Sequence, residues 1–268
     1  RCGFLYGPRF NLVNDEDHEN FYGSIKQELN NGIIIDADFM YSSTKVNDNP
    51  QSPSYPALSY LSPANAIMPG TGGSPFAVPV LWLGRALGSA FPSPNAPREI
   101  ETDRFSIGLS GDFDNGFDWD AHYTISSEDF YGQQPDTSTS KFSAAIKGNG
   151  GNSGNQTWDL FTPTNNSADL IKWISTAQQT WTETELAVLD FVVTGEWGGM
   201  DIASGFQYRD ETFNVARGAS SIAQFDASGN ITVPADLLFL GGGLESNASR
   251  NAMAVFVEGS MNPSDNLE

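Results

Sequence analysis

The residues in this chain best suited to chemistry are carboxylates spaced two apart: Asp36/Asp38, Asp112/Asp114 and Asp118/Asp120. Glycoside hydrolysis uses two carboxyl groups at a set separation across the scissile bond. Residues i and i+2 of a β-strand, however, share one face whether or not they do chemistry. Each pair lies in an alternating sequence, so the pairs are expected on the wet side of strands, without catalytic duty. Asp112, Asp114, Asn115 and Gly116 have the opening of a Ca²⁺ loop but miss the EF-hand spacing and its distal Glu. A hairpin turn accounts for them better.

Other catalytic sets fail on counting. His18 and His122 are the only histidines and Cys2 the only cysteine, so a zinc site of normal spacing cannot be assembled. His122 belongs to the polar face of a strand. No Gly-x-Ser-x-Gly elbow is present, and no Gly-Lys phosphate loop. The expectation is a protein that is not an enzyme and holds neither metal nor cofactor. Loop aromatics are the better candidates for function. Trp82 with Arg85, Trp158 with Phe161, and Trp173 offer stacking faces and a donor to a ligand.

The elements that would position these residues are strands. Hydrophobic residues make up 39% of the 268 and charged residues 17%, against roughly 25% charged in ordinary globular domains. Asn, Ser, Thr and 27 glycines fill the difference, which suits strands with one wet face and long polar loops. The net charge of −20 argues against a nucleic-acid partner, which needs clustered Lys and Arg. It also argues against docking on an anionic membrane surface. No apolar run reaches the ~18 residues of a spanning helix.

Period-two alternation dominates. In 104–112 and on to Phe113, Phe105, Ile107, Leu109, Gly111 and Phe113 oppose Arg104, Ser106, Gly108, Ser110 and Asp112. After Asn115–Gly116, a strong hairpin signal, Phe117, Trp119, Ala121, Tyr123 and Ile125 alternate with Asp118, Asp120, His122, Thr124 and Ser126. The same reading gives strands at 21–29 and 33–45 around Asn30–Asn31–Gly32, at 184–197 and 200–213 around Gly198–Gly199, and at 251–260. That makes about seven strands. A short helix is expected over 167–176, with Leu170, Ile171 and Trp173 as its apolar side, and 148–154 is expected to be a flexible link.

Short turns near 31, 115 and 198 alternate with long connections at 47–99, 130–180 and 216–250. That is the layout of outer-membrane barrels, with short periplasmic turns and long extracellular loops. Alternation alone suits a soluble sandwich equally well. Aromatic placement favours the membrane: Phe113, Phe117, Trp119 and Trp197 lie beside the short turns, and Tyr41, Tyr123 and Tyr208 toward the other strand ends, like two interfacial girdles.

Several segments resemble one family, the TonB-dependent receptors of Gram-negative bacteria. They are Asn20–Phe21–Tyr22–Gly23–Ser24, Phe39–Met40–Tyr41–Ser42–Ser43–Thr44 and the loop segment Val80–Leu81–Trp82–Leu83–Gly84–Arg85–Ala86–Leu87–Gly88. Further along come Gly111–Asp112–Phe113–Asp114–Asn115–Gly116–Phe117–Asp118–Trp119–Asp120–Ala121, then Gly205–Phe206–Gln207–Tyr208–Arg209–Asp210–Glu211, then Ala254–Val255–Phe256–Val257–Glu258. Each is a barrel-strand pattern; their order and spacing carry the likeness. The resemblance implies an all-β fold: an antiparallel transmembrane β-barrel segment, about seven strands of a 22-stranded barrel whose lumen is plugged, with long extracellular loops.

Residues 1–268 are then expected to form a partial barrel domain from the barrel's first half, with the plug domain and C-terminal strands lying outside it. The implied function is outer-membrane uptake of a scarce nutrient (iron chelate, cobalamin, glycan or peptide) powered by the TonB complex acting through the plug. Outer-membrane lipid would surround the barrel, and the location would be the cell outer membrane. Trp82, Arg85, Trp158 and Trp173 would be ligand-binding residues in extracellular loops. Two alternatives stay open: another outer-membrane barrel, porin or adhesin, and a secreted β-sandwich that binds glycans.

Overall fold

A computed structural model describes residues 5, 7–51, 76–80, 86–88, 90–160 and 162–261. Its main feature is one antiparallel sheet of seven strands in the order β1-β2-β3-β4-β5-β6-β9. The strands are β1 (Asp15–Glu28), β2 (Ile34–Asp48), β3 (Arg98–Asp112), β4 (Phe117–Thr137), β5 (Ser175–Trp197), β6 (Met200–Arg217) and β9 (Ser246–Ser260). A small hairpin, β7 (Gln224–Phe225) with β8 (Ile231–Val233), lies in the connection before β9. Two helices, α1 (Thr139–Ile146) and α2 (Ala168–Ile174), lie between β4 and β5. The sheet is not closed: among the described residues β1 pairs only with β2, and β9 only with β6.

The three short turns form where the sequence puts them. Leu29–Ile33 and Phe113–Phe117 are the same device built twice. In each, the first residue's N–H donates to the last residue's carbonyl, at 2.8 and 2.7 Å, and a glycine N–H returns to the first carbonyl. Gly32 (φ 80°) and Gly116 (φ 83°) supply the left-handed residue this turn requires. Trp197 pairs directly with Met200 across Gly198 and Gly199, both at positive φ, the geometry of a two-residue type I′ turn.

Register then decides which side each residue faces. One cross-strand row on one side reads Ile25, Ala37, Ile107, Tyr123, Leu189, Tyr208, Met253. The next, toward the short turns, reads Gln27, Ile35, Leu109, Ala121, Phe191, Phe206, Val255. All seven apolar faces thus fall on one side of the sheet. That side is open. Phe105, Ile107 and Leu109 are 41%, 37% and 39% exposed, whereas Ser106 between them is 5% exposed. No buried hydrophobic side chain of the described residues belongs to the seven strands.

Strands run further than the alternation indicates. β4 continues to Thr137 and β5 begins at Ser175, which shortens the expected 130–180 loop to residues 138–174. The added stretches, such as Ser126–Ser127–Glu128–Asp129, are polar on both faces and carry no apolar period. Longer strands also move the aromatics. Tyr123 and Tyr208 flank Leu189 in mid-band, so they form no second girdle at the long-loop ends, a correction to the sequence expectation.

The buried core lies in the long connections. Ala86, Phe142, Ala145, Ile146, Trp158, Leu170 and Ile174 form one cluster, with Val80, Leu87, Leu160, Ile171, Trp173 and Leu238 packed around it. The helix expected over 167–176 is α2, capped by Ser167, whose Oγ accepts from Leu170 N–H at 3.2 Å. Helix α1, capped by Ser138, had no period long enough to be read. Residues 148–154 are no flexible link: Gly150 and Gln156 exchange two backbone hydrogen bonds, of 2.7 and 2.9 Å. Gly148, Gly151 and Gly154 take the positive-φ turns around them.

Two aspartates fasten this cap to the sheet. Asp136, at the end of β4 and 6% exposed, accepts from the backbone N–H of Thr137 (2.6 Å), Leu240 (2.8 Å) and Phe239 (3.1 Å). In return Asp236 accepts from the Ser140 N–H at 2.7 Å and from the Ser138 hydroxyl at the start of α1. Burial pushes the Asp136 carboxyl above its ordinary range, against the opposing pull of these N–H donors. A folded-state pKa above the unfolded one means that the docked form holds the proton more firmly. The contribution is complete below the unfolded value of about 4 and is lost as pH rises through the elevated folded value.

Two outcomes follow for amide exchange at Phe239 and Leu240, corrected for intrinsic rates. Protection should fall as pH rises above about 4 in the native protein, and Asp136→Asn should flatten that trend. Asp136→Ala should cost the docked loop about 1–3 kcal/mol, the penalty for stranding buried N–H groups. Unchanged protection in Asp136→Ala would refute the clasp.

Candidate functional site

The face opposite the apolar band carries most of the sheet's polar side chains. Arg104 bonds Asp38 at 3.0 Å, Gln207 donates to Asp190 at 2.7 Å, and His122 pairs with Asp120 at 3.0 Å. Gly108 has no side chain because two others converge over it. A Cβ there would lie 2.3 Å from His122 Cε1 and 2.6 Å from Asp36 Oδ1. The carboxylates at 36, 38, 118 and 120 therefore share the polar face by strand parity, as i and i+2 residues must. The His122 ring bonds a carboxylate and no hydroxyl among the described residues. Nor do any three His, Cys, Asp or Glu of those residues gather as a metal site.

Further along the same strands the two faces exchange character without a break in register. Up to the row Phe39, Phe105, Ile125, Ala187, the apolar side chains point to the open side. Beyond it, that side carries Asp103, Ser127, Glu185 and Thr212, then Glu101, Asp129, Glu183 and Asn214. On β6 and β9 the change comes one row earlier, at Asp210 and Asn251. The opposite face turns apolar over the same stretch, with Ile100 against Phe130 and with Phe213 and Val215 on β6.

A cleft of about 650 Å³ opens where the faces exchange, on the side opposite the apolar band. Its lining is apolar at Leu186, Phe213 and Ala248 and polar at Thr102, Ser126, Glu128 and Thr184. Arg250 closes one end and is bonded to Glu211, which also holds Arg209 at 2.9 Å. The hydroxyls of Thr102, Ser126 and Thr184 and the Glu128 carboxylate have no hydrogen-bond partner among the described residues. Their donors and acceptors remain available. The volume lies within the ~300–1,000 Å³ typical of small-molecule sites.

The aromatics expected to bind ligand meet different fates. Trp82, Arg85 and Phe161 lie outside the described residues. Trp158 is 2% exposed and packs edge-on against Phe142, with ring centroids 5.9 Å apart, inside the cap core. It offers no face to a ligand, which corrects the expectation of a platform there. Trp173 is partly exposed at the rim of that core, with Lys141 Nζ 5.7 Å from its ring centroid. The cleft residues escaped sequence reasoning because they lie on five strands and show no motif.

No protein-family model matches the chain, and no curated protein was found to be similar to it.

The contrast between the two tryptophans is measurable. Trp158→Ala should destabilise the cap by about 3–5 kcal/mol, the usual cost of emptying a buried aromatic site. Trp173→Ala should cost about 0.5–1 kcal/mol for the lost cation contact at a wet site. Limited proteolysis within residues 138–174 reads both. Equal resistance of the two variants would refute the assignment.

Proposed function

We propose that this chain forms part of the wall of a transport barrel in the outer membrane of a Gram-negative bacterium. The barrel serves a receptor that captures a scarce nutrient and imports it with energy from the TonB complex. The observation that carries this proposal is the exchange of faces along unbroken strands. Apolar side chains that point outward suit lipid, and apolar side chains that point inward suit a region standing in water; a single sheet that does both in succession fits a barrel crossing an interface. A soluble sandwich keeps its apolar side chains inward along the whole strand.

Dimensions agree with that account. From Trp197 to Ala187 the apolar run on β5 covers ten residue steps. At ~3.4 Å per step and a tilt of ~40°, it spans about 26 Å, close to the ~25 Å apolar band of outer-membrane barrels. The remaining residues of β4 and β5 extend past the band on the side of the long connections. The folded cap supports a receptor over an open pore, because binding residues concentrate on loops held by a rigid scaffold. Transport itself has no covalent step.

Single cysteines at Ile107 and Ser106 in the full-length protein test the wall. The Ile107→Cys variant should react with a lipid-soluble reagent and the Ser106→Cys variant with a water-soluble one. Equal or reversed labelling would sink the membrane proposal. Nutrient uptake that persists after the TonB complex is removed would assign the barrel to an open porin instead.

A further inference from the structure

We propose that the cleft between Glu128 and Phe213 is a saccharide subsite, and that the imported nutrient is a neutral oligosaccharide. This rests on the barrel account above and adds a ligand class to it. The first argument is charge. The guanidinium lining the cleft is Arg250, which is engaged by Glu211 together with Arg209. Among the charges that face the cleft, the Glu128 carboxylate has no partner within the described residues, and the chain as a whole has a net charge of −20. An anionic chelate would meet an unpaired carboxylate here and cations already engaged with Glu211.

The second argument is hydrogen bonding. Thr102, Ser126 and Thr184 each present a hydroxyl that both donates and accepts, and Glu128 presents an acceptor. None of the four is engaged within the described protein. A ligand dense in hydroxyl groups satisfies such a set from either direction, and O–H donors to a carboxylate form the stronger, charge-assisted kind of bond. The third argument is shape. Phe213, 43% exposed, lines the cleft beside Leu186, and the C–H face of a pyranose ring lies well on an apolar aromatic surface. An apolar aromatic next to a row of hydroxyls and a carboxylate suits a sugar, which offers C–H and O–H groups side by side.

The arrangement depends on register. Thr102 faces Glu128 across β3 and β4, Glu128 faces Thr184 across β4 and β5, and Thr184 faces Phe213 across β5 and β6. These four residues are one continuous cross-strand row. They sit three residues beyond the row of Phe105 and Ile125 that ends the apolar band, and so on the opposite face. The subsite thus stands in the water-filled part of the proposed barrel, where an incoming ligand arrives.

The test presents the fluorescently labelled full-length protein, in detergent micelles, to an array of neutral oligosaccharides. A ferric catecholate chelate and cobalamin are titrated in parallel. At least one oligosaccharide should bind. Phe213→Ala and Glu128→Gln should each weaken that binding tenfold or more, while Phe213→Tyr retains it. Heat-modifiable migration on gels checks that every variant keeps its barrel. A blank array, or oligosaccharide binding indifferent to Phe213 and Glu128, overturns the subsite. Chelate or cobalamin binding that falls with these substitutions overturns the ligand class. If the Ile107/Ser106 labelling still separates lipid from water in either case, the barrel stands and only the saccharide proposal falls.

Discussion

Everything in this molecule depends on an antiparallel register that never slips between β2 and β9. Side-chain direction in a strand has a period of two, so a single-residue slip would send a whole strand's apolar set to the other side. Five consecutive pairings hold that parity across strands of up to 23 residues. Within the seven-stranded sheet the outermost β1–β2 pairing is the one that shows an irregularity, between Asp15 and Glu16. The band of outward apolar residues, the polar network opposite it and the cleft row are all consequences of the same register.

Stability is divided in a way that follows from this. A sheet with no buried apolar side chain draws little from the hydrophobic effect within the described chain, and its internal cohesion is backbone pairing. Residues 138–174 carry instead a compact core with two capped helices, and the Asp136 and Asp236 carboxylates join it to the sheet end. Each carboxylate accepts backbone donors from the other's segment, so cap and strand end brace each other. In the proposed membrane setting the division is sensible. Lipid supplies the missing contact to the sheet, and backbone groups are satisfied strand to strand, while loops in water must build a core of their own.

How much of this could be read from residues alone depends on where local signals exist. The alternation of 104–126 and the glycine turns at 32, 116 and 198–199 fixed strands and hairpins, because each is a short-range property. The strand ends were lost where both faces became polar, as at Ser126–Ser127–Glu128–Asp129. Trp158 read as a candidate platform because an isolated aromatic in a polar loop gives no hint of burial; its partner Phe142 lies on a helix of eight residues, too short to show a period. The cleft was legible in part. The Asn115–Gly116 turn sets the register that opposes Thr102 to Glu128, and Gly198–Gly199 sets the one that opposes Thr184 to Phe213. The join between these halves, Glu128 against Thr184, spans a long connection whose register no local signal sets.

The exchange of faces explains a feature that composition alone leaves puzzling. The chain is strongly acidic, yet its apolar band holds hardly a charge on its outer side. The carboxylates are concentrated where the outer face leaves the band: Glu99, Glu101, Asp103, Asp129, Glu183 and Glu185. In the proposed membrane setting, charge placed there costs little, because water solvates it, whereas the same charge a few residues lower would face hydrocarbon at a cost of several kcal/mol. On the apolar-band side, acidity marks the part of the strands beyond the band, with its onset at Asp103 on β3, Asp129 on β4, Glu185 on β5 and, one row earlier, Asp210 on β6.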